Sequence, residues 1–302
     1  MTTTSPAPPA SRYRFSALAA VAVTVLAWAS AFVAIRYVGA SYEPGALALG
    51  RLLTGSLALG VSLLSSRRWV RPTAREWALI ALCGLAWFGI YNVALNAAEH
   101  RVDAGTTAIL VNIGPILIAL LAGVLLHEGF PRWLVIGALV AFGGAVLVGT
   151  ATSDGSADLA GVLLCLVAAV TYAIGVLAQK PVLRRLPALQ VTWLACTVAA
   201  VACLPFAPTL VHDVSAAPPV ATVWLVYLGV VPTALAFSTW AYALARINAG
   251  RLGVSTYAVP PITIVLGAAF LGEVPPVLAL VGGVICLAGV ALSRRRYSAV
   301  RR

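Results

Sequence analysis

Two stretches decide the fold, NIGPILIALLAGVLLHEGFPRWLVIG at residues 112–137 and YAVPPITIVLGAAFLGEVPPVLALVG at residues 257–282. They belong to a longer pair, 104–148 and 249–293, that aligns without a gap at a constant offset of 145 residues and shares ten identities in 45 positions. The spacing of proline, glutamate and proline recurs, so that Pro115, Glu128 and Pro131 match Pro260, Glu273 and Pro276. The chain therefore contains an internal repeat.

The composition is that of a membrane protein. Of the 302 residues, 61% are hydrophobic and 10% are charged, whereas a soluble domain carries about 25% charged residues. Ten mostly apolar stretches are long enough to cross a bilayer: 15–35, 44–66, 77–98, 104–126, 133–153, 159–179, 186–211, 214–245, 252–272 and 274–293. Pro205 and Pro208 are predicted to close the seventh span, and Pro218 and Pro219 to delay the eighth to about residue 220. Ten spans leave no room for a soluble catalytic domain.

The basic residues predict the orientation. Of the 20 Lys and Arg residues, 17 fall in segments that share one side of the membrane when the N-terminus is cytoplasmic. Because short loops follow the positive-inside rule, both termini are predicted to be cytoplasmic. This rule accounts for the net charge of +11, so no nucleic-acid partner is expected. Residues 1–14 are predicted to form a disordered cytoplasmic tail, and residues 294–302 a basic one.

The repeat divides the spans into two five-helix halves, 15–149 and 159–293, joined by an outer loop at 150–158. Because five is an odd number, the second half enters the membrane from the opposite side. The expected fold is an all-α integral membrane protein with ten transmembrane helices arranged as two inverted five-helix repeats. Secondary transporters use this architecture, with the substrate site near the midplane between the halves.

The repeated block resembles the signature of the EamA family, within the drug/metabolite transporter superfamily. The resemblance rests on Pro115, Leu126–Glu128, Ile136–Gly137, Pro260–Pro261, Leu271–Glu273, Val281–Gly282, Trp28–Phe32, Arg51, Tyr227–Gly229, Ala234–Phe237 and Trp240. It covers essentially the whole chain as two EamA repeats, although Ala29 stands where glycine is more usual. The resemblance implies ten helices, cytoplasmic termini and the export or exchange of small metabolites such as amino acids and their derivatives.

Polar and aromatic side chains within the spans are candidates for substrate binding, because unpaired polar groups are costly in a bilayer. Arg51 lies about 10 Å inside the second helix, where it would attract a carboxylate or phosphate. The alternative is a structural arginine that snorkels outward. Asn92 and Asn96 share one helix face, which suits either a zwitterionic ligand or interhelical hydrogen bonds. The complete predicted set is Trp28, Ser30, Arg51, Trp87, Tyr91, Asn92, Asn96, Asn112, Tyr172, Trp240 and Tyr257.

Other residues are predicted to shape the helices. Pro115, Pro260 and Pro261 remove helix hydrogen bonds and are candidates for kinks that gate the cavity. Glu128 and Glu273 are predicted to fix helix ends. Glycines in the fifth and tenth helices would let these two helices pack closely, and they also offer a contact for a homodimer.

The predicted function is a secondary transporter of small metabolites in the plasma or inner membrane, working as an exporter or exchanger by alternating access. Its predicted partners are a small-molecule substrate and the lipid bilayer. A proton-coupled drug exporter and a phosphorylated-metabolite carrier of the same superfamily stay open as alternatives. No nucleotide-binding, hydrolase or metal motif occurs in the sequence, so no enzymatic activity, cofactor or metal is expected.

Overall fold

The computed structural model describes residues 10–66, 68–101, 107, 110–152, 158–271 and 276–295. Within these ranges every regular element is helical. The α-helices are α1 (Ala10–Gly39), α2 (Pro44–Ser66), α3 (Ala74–Cys83), α4 (Tyr91–Glu99), α5 (Ile113–Leu125), α6 (Arg132–Thr152), α7 (Leu159–Val182), α8 (Ala188–Ala202), α9 (Ala207–Ala216), α10 (Pro219–Leu228), α11 (Ala236–Leu244), α12 (Ala249–Ser255), α13 (Val259–Leu271) and α14 (Val277–Ser293). Two π-helical segments, π1 (Gly84–Ile90) and π2 (Gly229–Leu235), join α3 to α4 and α10 to α11.

Most of these helices have the length and composition of membrane spans. Seven continuous helical stretches of described residues qualify, or eight if the bent pair α8 and α9 is one span; α3–π1–α4, α10–π2–α11 and α12–α13 each count as one stretch. Helices α5 and α14 are shorter apolar helices of 13 and 17 residues. The prediction of an all-helical membrane protein is confirmed. The count of ten spans, the domain boundaries and the cytoplasmic termini stay predictions.

Pro205 and Pro208 are predicted to close the seventh span, and helix α8 ends at Ala202, just before them. Helices α8 and α9 meet at a bend of 54°, and the helical path continues to Ala216. Pro205 and Pro208 both lie within the first two positions of a helical segment. A proline is tolerated there because the missing N–H would have had no partner within the helix. These prolines therefore begin new helical segments, as Pro219 begins α10.

The repeat extends further in the structure than in the sequence. Helix α3, segment π1 and helix α4 begin and end 145 residues before α10, π2 and α11. The offset equals that of the repeated block, although this region shares few identical residues apart from Gly84 and Gly229. Because π-helices are rare, two of equal length at equivalent positions indicate that both halves share one backbone design.

Each π segment packs against a helix of the other half. A methyl group added at Gly84 would lie 2.5 Å from the Ala195 carbonyl oxygen in α8. One added at Gly229 would lie 2.8 Å from the Arg51 carbonyl oxygen in α2. Contacts this close leave no room for a side chain. The halves therefore interlock through a pair of equivalent contacts, π1 on α8 and π2 on α2.

Helices α6 and α14 pack together through small residues, as the sequence predicts for the fifth and tenth spans. A methyl group at Gly144 would lie 2.5 Å from the backbone nitrogen of Cys286, and one at Gly282 would lie 2.8 Å from the Gly144 carbonyl oxygen. Such approaches are the usual basis of close helix packing in membranes. The glycines between α6 and α14 therefore allow close packing within one chain. The predicted homodimer stays a prediction.

Candidate functional site

Aromatic side chains from both halves meet at the centre of the molecule. This aromatic cluster consists of Trp28, Trp87, Phe88 and Tyr91 of the first half and Tyr172, Phe237 and Trp240 of the second. Trp87 contacts members of both halves, with its ring centroid 6.1 Å from that of Trp28 and 4.8 Å from that of Phe237. Trp87 and Trp240 are each only 1% exposed. The conformation seen here therefore closes the centre with aromatic rings.

Trp28 links the cluster to segment π2. Its indole Nε1 donates a hydrogen bond to the Pro232 carbonyl oxygen at 3.2 Å, and its ring centroid lies 5.1 Å from that of Trp240. Trp240 Nε1 is buried and has no hydrogen-bond partner in the described part of the chain. A buried indole N–H normally finds a partner. Trp240 therefore offers the cluster a hydrogen-bond donor.

Arg51 lies beside the cluster and is 5% exposed. Its Nε donates to the Thr233 hydroxyl in π2 at 3.2 Å, and this hydroxyl donates to the Leu228 carbonyl oxygen at 2.9 Å. Tyr91, at the edge of the cluster, and Glu99, at the end of α4, both lie within electrostatic range of Arg51. None of the ion pairs found in the described ranges involves Arg51. A guanidinium group in this setting is suited to receive an anionic group.

The two predicted asparagines share a helix face but have different contacts. Asn92 Nδ2 donates to the Phe88 carbonyl oxygen at 2.8 Å and so bonds to the π1 backbone of its own helix. Asn96 Nδ2 donates to the Pro44 carbonyl oxygen, at the start of α2, at 3.1 Å. The buried Asn96 Oδ1 has no partner among the described residues. Asn92 thus bonds to the backbone of its own helix, whereas the side-chain oxygen of Asn96 is still able to accept a hydrogen bond.

The remaining three predicted site residues, Ser30, Asn112 and Tyr257, also lie outside the aromatic cluster. Ser30 forms a hydrogen bond with the Tyr227 hydroxyl at 2.7 Å. The Tyr257 hydroxyl donates to the Asn112 carbonyl oxygen at 2.7 Å, which joins two repeat-related positions 145 residues apart. Tyr257 is fully buried. These contacts bridge the halves without placing the three residues against the central rings.

The predicted gating prolines follow interruptions in their helices. Pro115 lies in the first turn of α5, which begins at Ile113. Pro260 and Pro261 lie in the first turn of α13, after a 3-10 turn at Thr256–Ala258. The interruptions at Asn112 and Tyr257 occupy equivalent positions of the repeat. Each half therefore carries a break in its helix at this repeat position, and the hydrogen bond between Tyr257 and Asn112 connects these two breaks.

One end of the molecule is closed by polar contacts between helices. Glu128 accepts hydrogen bonds from the backbone nitrogens of Ala249 at 2.8 Å and Gly250 at 3.2 Å, at the start of α12. Lys180 Nζ donates to the Leu244 carbonyl oxygen and, at 2.6 Å, to that of Ile247. These contacts hold the chain after α5 to α12, and α7 to the end of α11. Glu273, the predicted counterpart of Glu128, lies outside the described residues.

The sequence reasoning missed three members of this region. Phe88 and Phe237 have ring centroids 4.2 Å apart and join the halves, and Thr233 is the partner of Arg51. Phe88 adjoins Trp87, and Phe237 falls within the stretch that carries the family resemblance. Thr233 lies at the repeat position of Phe88, a relation that only the extended repeat reveals.

The fold and the central site define a multi-pass membrane protein whose two repeat halves meet at an aromatic cluster. The EamA-like transporter family matches residues 15–150 and 159–295, and the chain belongs to this family. A solved crystal structure with 21% identity has a TM-score of 0.75 and covers 92% of this chain and 96% of that chain. This likeness shows the same fold.

Relatives with curated names agree with the family. A "probable terminal-alkyne amino-acid exporter" of Streptantibioticus cattleyicolor is 40% identical over 285 residues, which cover 94% of this chain and 95% of that protein. An uncharacterized transporter of Bacillus subtilis is 31% identical over 269 residues, which cover 88% of this chain and 87% of that protein. A "probable amino-acid metabolite efflux pump" of Salmonella typhimurium is 24% identical over 281 residues, which cover 90% and 92%. The chain is therefore a multi-pass membrane transporter and not an enzyme, as predicted.

Proposed function

We propose that this protein is a secondary transporter that exports or exchanges amino acids and related metabolites by alternating access. The proposed topology has ten spans in two inverted halves, with both termini in the cytoplasm. The names of two relatives, which refer to amino-acid export and to amino-acid metabolite efflux, support this substrate class. The substrate binds between the halves, beside the aromatic cluster.

The observation that carries the proposal is the position of Arg51. Its side chain is buried at the junction of α2 and π2 and bonds to Thr233 of the other half. An arginine in a membrane interior is costly unless it has a functional or structural partner. A substrate carboxylate is such a partner, because it pairs with a guanidinium group through charge-assisted hydrogen bonds. The aromatic rings nearby suit an apolar side chain or an ammonium group.

The transport cycle requires the central rings to separate. In the conformation seen here, Trp28, Trp87 and Trp240 are in mutual contact, while Glu128 and Lys180 tie helices together at the end proposed to be cytoplasmic. The contacts of Trp28 with Pro232 and of Arg51 with Thr233 cross between the halves, so a rocking motion changes them. The broken helices at Pro115 and Pro260–Pro261 supply bending points for this motion.

Two alternatives differ in substrate chemistry. A drug exporter would bind bulky apolar cations through the aromatic rings and would gain nothing from Arg51. A carrier of phosphorylated metabolites would bind a dianion, for which a single buried arginine beside the cluster is a weak match. Matched ligands that differ in one functional group separate these cases.

The test is thermal stabilisation of the purified protein by matched ligands, because a ligand that binds only the folded state raises its stability. Each L-amino acid is compared with its amide and with the amine that lacks the carboxylate. Tetraphenylphosphonium and glycerol 3-phosphate represent the alternatives. We expect at least one amino acid to raise the Tm by about 3 °C at roughly tenfold excess over its Kd, and its amide and amine to have no effect.

Variants assign the carboxylate to Arg51. Arg51→Gln should abolish the stabilisation, while Arg51→Lys should retain part of it because it keeps the positive charge. Arg246→Gln is the matched control, since Arg246 is exposed and lies over the Tyr242 ring. Stabilisation by tetraphenylphosphonium or glycerol 3-phosphate alone would contradict the proposed substrate class. Full stabilisation of a folded Arg51→Gln variant would contradict the role of Arg51.

A further inference from the structure

A second polar site lies away from the aromatic cluster, at one end of the molecule. It is a cavity of about 240 Å³ lined by Pro131, Arg132, Trp133, Arg251 and Arg295. Three of the five lining residues are arginines, and no carboxylate belongs to the described lining. The transport cycle proposed above does not use this cavity.

The geometry of the cavity centres on Trp133. The guanidinium carbon of Arg132 lies 5.4 Å from the centroid of this ring, and that of Arg295 lies 5.5 Å from it. Cation–π contacts of this length orient guanidinium groups. One indole therefore holds two arginines at the cavity, and Arg251 completes the set from a third segment.

The three arginines come from distant parts of the chain. Arg132 begins α6, Arg251 lies in α12, and Arg295 follows the end of α14. The site therefore forms only when the two halves are assembled. In the proposed topology all three arginines belong to cytoplasmic segments, which places the cavity at the inner surface of the membrane.

The cavity adjoins a surface suited to acyl chains. Beyond Trp133, α6 exposes Ile136 at 42% and Leu139 at 60%. Above Arg295, α14 exposes Leu287 at 46%. An amphiphile with its charged group among the arginines would thus find apolar side chains along the same two helices.

The acidic residue nearest in sequence to the cavity lining is Glu128. Glu128 directs its two carboxylate oxygens to the backbone nitrogens of Ala249 and Gly250. An anion placed among the three arginines gains a favourable electrostatic interaction with each guanidinium group. Arginine forms bidentate hydrogen bonds with phosphate oxygens.

We propose that this cavity binds the phosphate group of an anionic phospholipid headgroup. Basic pockets between membrane helices on the cytoplasmic side are a recognised setting for such lipids. Because the ligand contacts α6, α12 and α14 at once, its binding strengthens the assembly of the two halves at this end.

The test uses the full chain in a neutral detergent, with short-chain phosphatidylglycerol as the probe. Phosphatidylcholine of the same chain length shares the phosphodiester but is zwitterionic, and inorganic phosphate has no acyl chain. We expect phosphatidylglycerol to raise the Tm by about 5 °C at roughly 100-fold excess over its Kd, and phosphatidylcholine and phosphate to raise it by less than a fifth of that. Native mass spectrometry should detect one tightly retained phosphatidylglycerol per chain.

Variants assign the effect to the cavity. Arg251→Gln and Arg295→Gln should each remove at least half of the Tm shift and lower the fraction of lipid-bound protein. Arg295 follows the last described helix and is exposed, so its replacement leaves the fold intact. Arg184→Gln is the matched control, because Arg184 is exposed and lies outside the cavity.

Three results would overturn the proposal. The first is an equal Tm shift with phosphatidylcholine, which would indicate a general lipid effect. The second is an equal shift with inorganic phosphate, which would assign the cavity to a free anion. The third is an unchanged phosphatidylglycerol shift in both Arg251→Gln and Arg295→Gln.

Discussion

Segments π1 and π2 occupy equivalent places in the two halves but satisfy their backbone in different ways. In π1, Asn92 of the following helix donates to the Phe88 carbonyl oxygen, so the distortion is satisfied within one helix. In π2, Trp28 of α1 donates to the Pro232 carbonyl oxygen, and Arg51 of α2 bonds to Thr233. Side-chain hydrogen bonds to π1 thus come from its own half, whereas π2 has a local bond from Thr233 to the Leu228 carbonyl oxygen and also receives bonds from the other half. In the transporter proposed above, this asymmetry would place the polar chemistry of the site on α1, α2 and π2.

The difference also concerns the residues that each π segment packs against. Gly84 approaches the carbonyl oxygen of Ala195 and Gly229 that of Arg51. Ala195 and Arg51 therefore occupy equivalent places, yet only one of them carries a charge. The two halves thus share the same backbone packing at this position, and the difference between Ala195 and Arg51 gives only the first half a charged side chain there.

The largest expected effect comes from filling the contacts that both segments share. Gly84→Val and Gly229→Val each place a branched side chain where a backbone carbonyl oxygen already lies, and overpacking of this kind costs about 3 kcal/mol. Both variants should lose most of their folded protein, as measured by fluorescence-detected size exclusion. Gly143→Ala is the control, because no atom lies within 4 Å of an added methyl group there. Normal folding of both valine variants would show that the equivalence is not structural.

The second prediction concerns the cross-half bond of π2. Trp28→Phe keeps a ring but leaves the Pro232 carbonyl oxygen without its donor, which costs about 1 kcal/mol. The conformation seen here should lose population about fivefold relative to one with separated halves. Distances between spin labels at exposed Arg68 and Arg246 measure this shift, since the five native cysteines are buried. An unchanged distance distribution would mean that the bond does not hold the halves together.

The third prediction concerns the local bond of π1. Asn92→Leu removes the donor to the Phe88 carbonyl oxygen and should lower the stability by about 1 kcal/mol, as measured by SDS denaturation. Transport per folded molecule and the distances between the labelled halves should stay as in the wild type. If Asn92→Leu folds normally but transports slowly, the bond in π1 matters for transport as well, and the proposed difference between π1 and π2 is wrong.

The smallest effect is expected where the second half begins. Asp158 precedes α7 and accepts a hydrogen bond from Gly161 N at 2.6 Å and one from Arg101 at 3.1 Å. These contacts lower the pKa of Asp158, first through the backbone bond and then through Arg101. The first helix of the first half differs from α7 here, because the first turn of α1 carries no acidic residue.

A carboxylate with a depressed pKa adds stability above the usual aspartate pKa of about 3.9, and this contribution disappears as the pH falls through the folded-state pKa. Asp158→Asn should therefore lower the Tm slightly at pH 7 and leave it unchanged at the lowest pH. The pH dependence of the Tm below about pH 5 checks this. If the Tm of Asp158→Asn falls with decreasing pH as it does in the wild type, the hydrogen bonds of the Asp158 carboxylate contribute nothing to stability.

Much of the fold could be predicted from the sequence because hydropathy and repetition are properties of long segments. The block around Pro115 and Pro260 revealed the repeat, and the apolar runs revealed the membrane helices. The π segments were beyond reach, since widening one helical turn leaves the hydropathy of the run unchanged. The helical segments that begin at Pro205 and Pro208 were not foreseen, because a proline that follows the end of one helix also suits the start of the next.

The site was predictable in its residue types but not in its contacts. Tryptophan and tyrosine inside the spans indicated Trp28, Trp87, Tyr91, Tyr172 and Trp240, which the structure brings together. Which polar side chains bond to backbone and which face the rings depends on packing between helices distant in sequence. Asn92 and Arg51 show this most clearly, because both are buried polar residues in the same region with different partners.

The central claim is that the two halves enclose a carboxylate-bearing substrate beside Arg51. Counterflow in proteoliposomes tests this most directly: vesicles are loaded with one amino acid from a panel, and uptake of the labelled compound is followed. The wild type should accumulate label for at least one amino acid but not for its amide, and Arg51→Gln should reduce this uptake at least tenfold. Wild-type uptake by a folded Arg51→Gln variant, or the absence of exchange across the whole panel, would contradict the central claim.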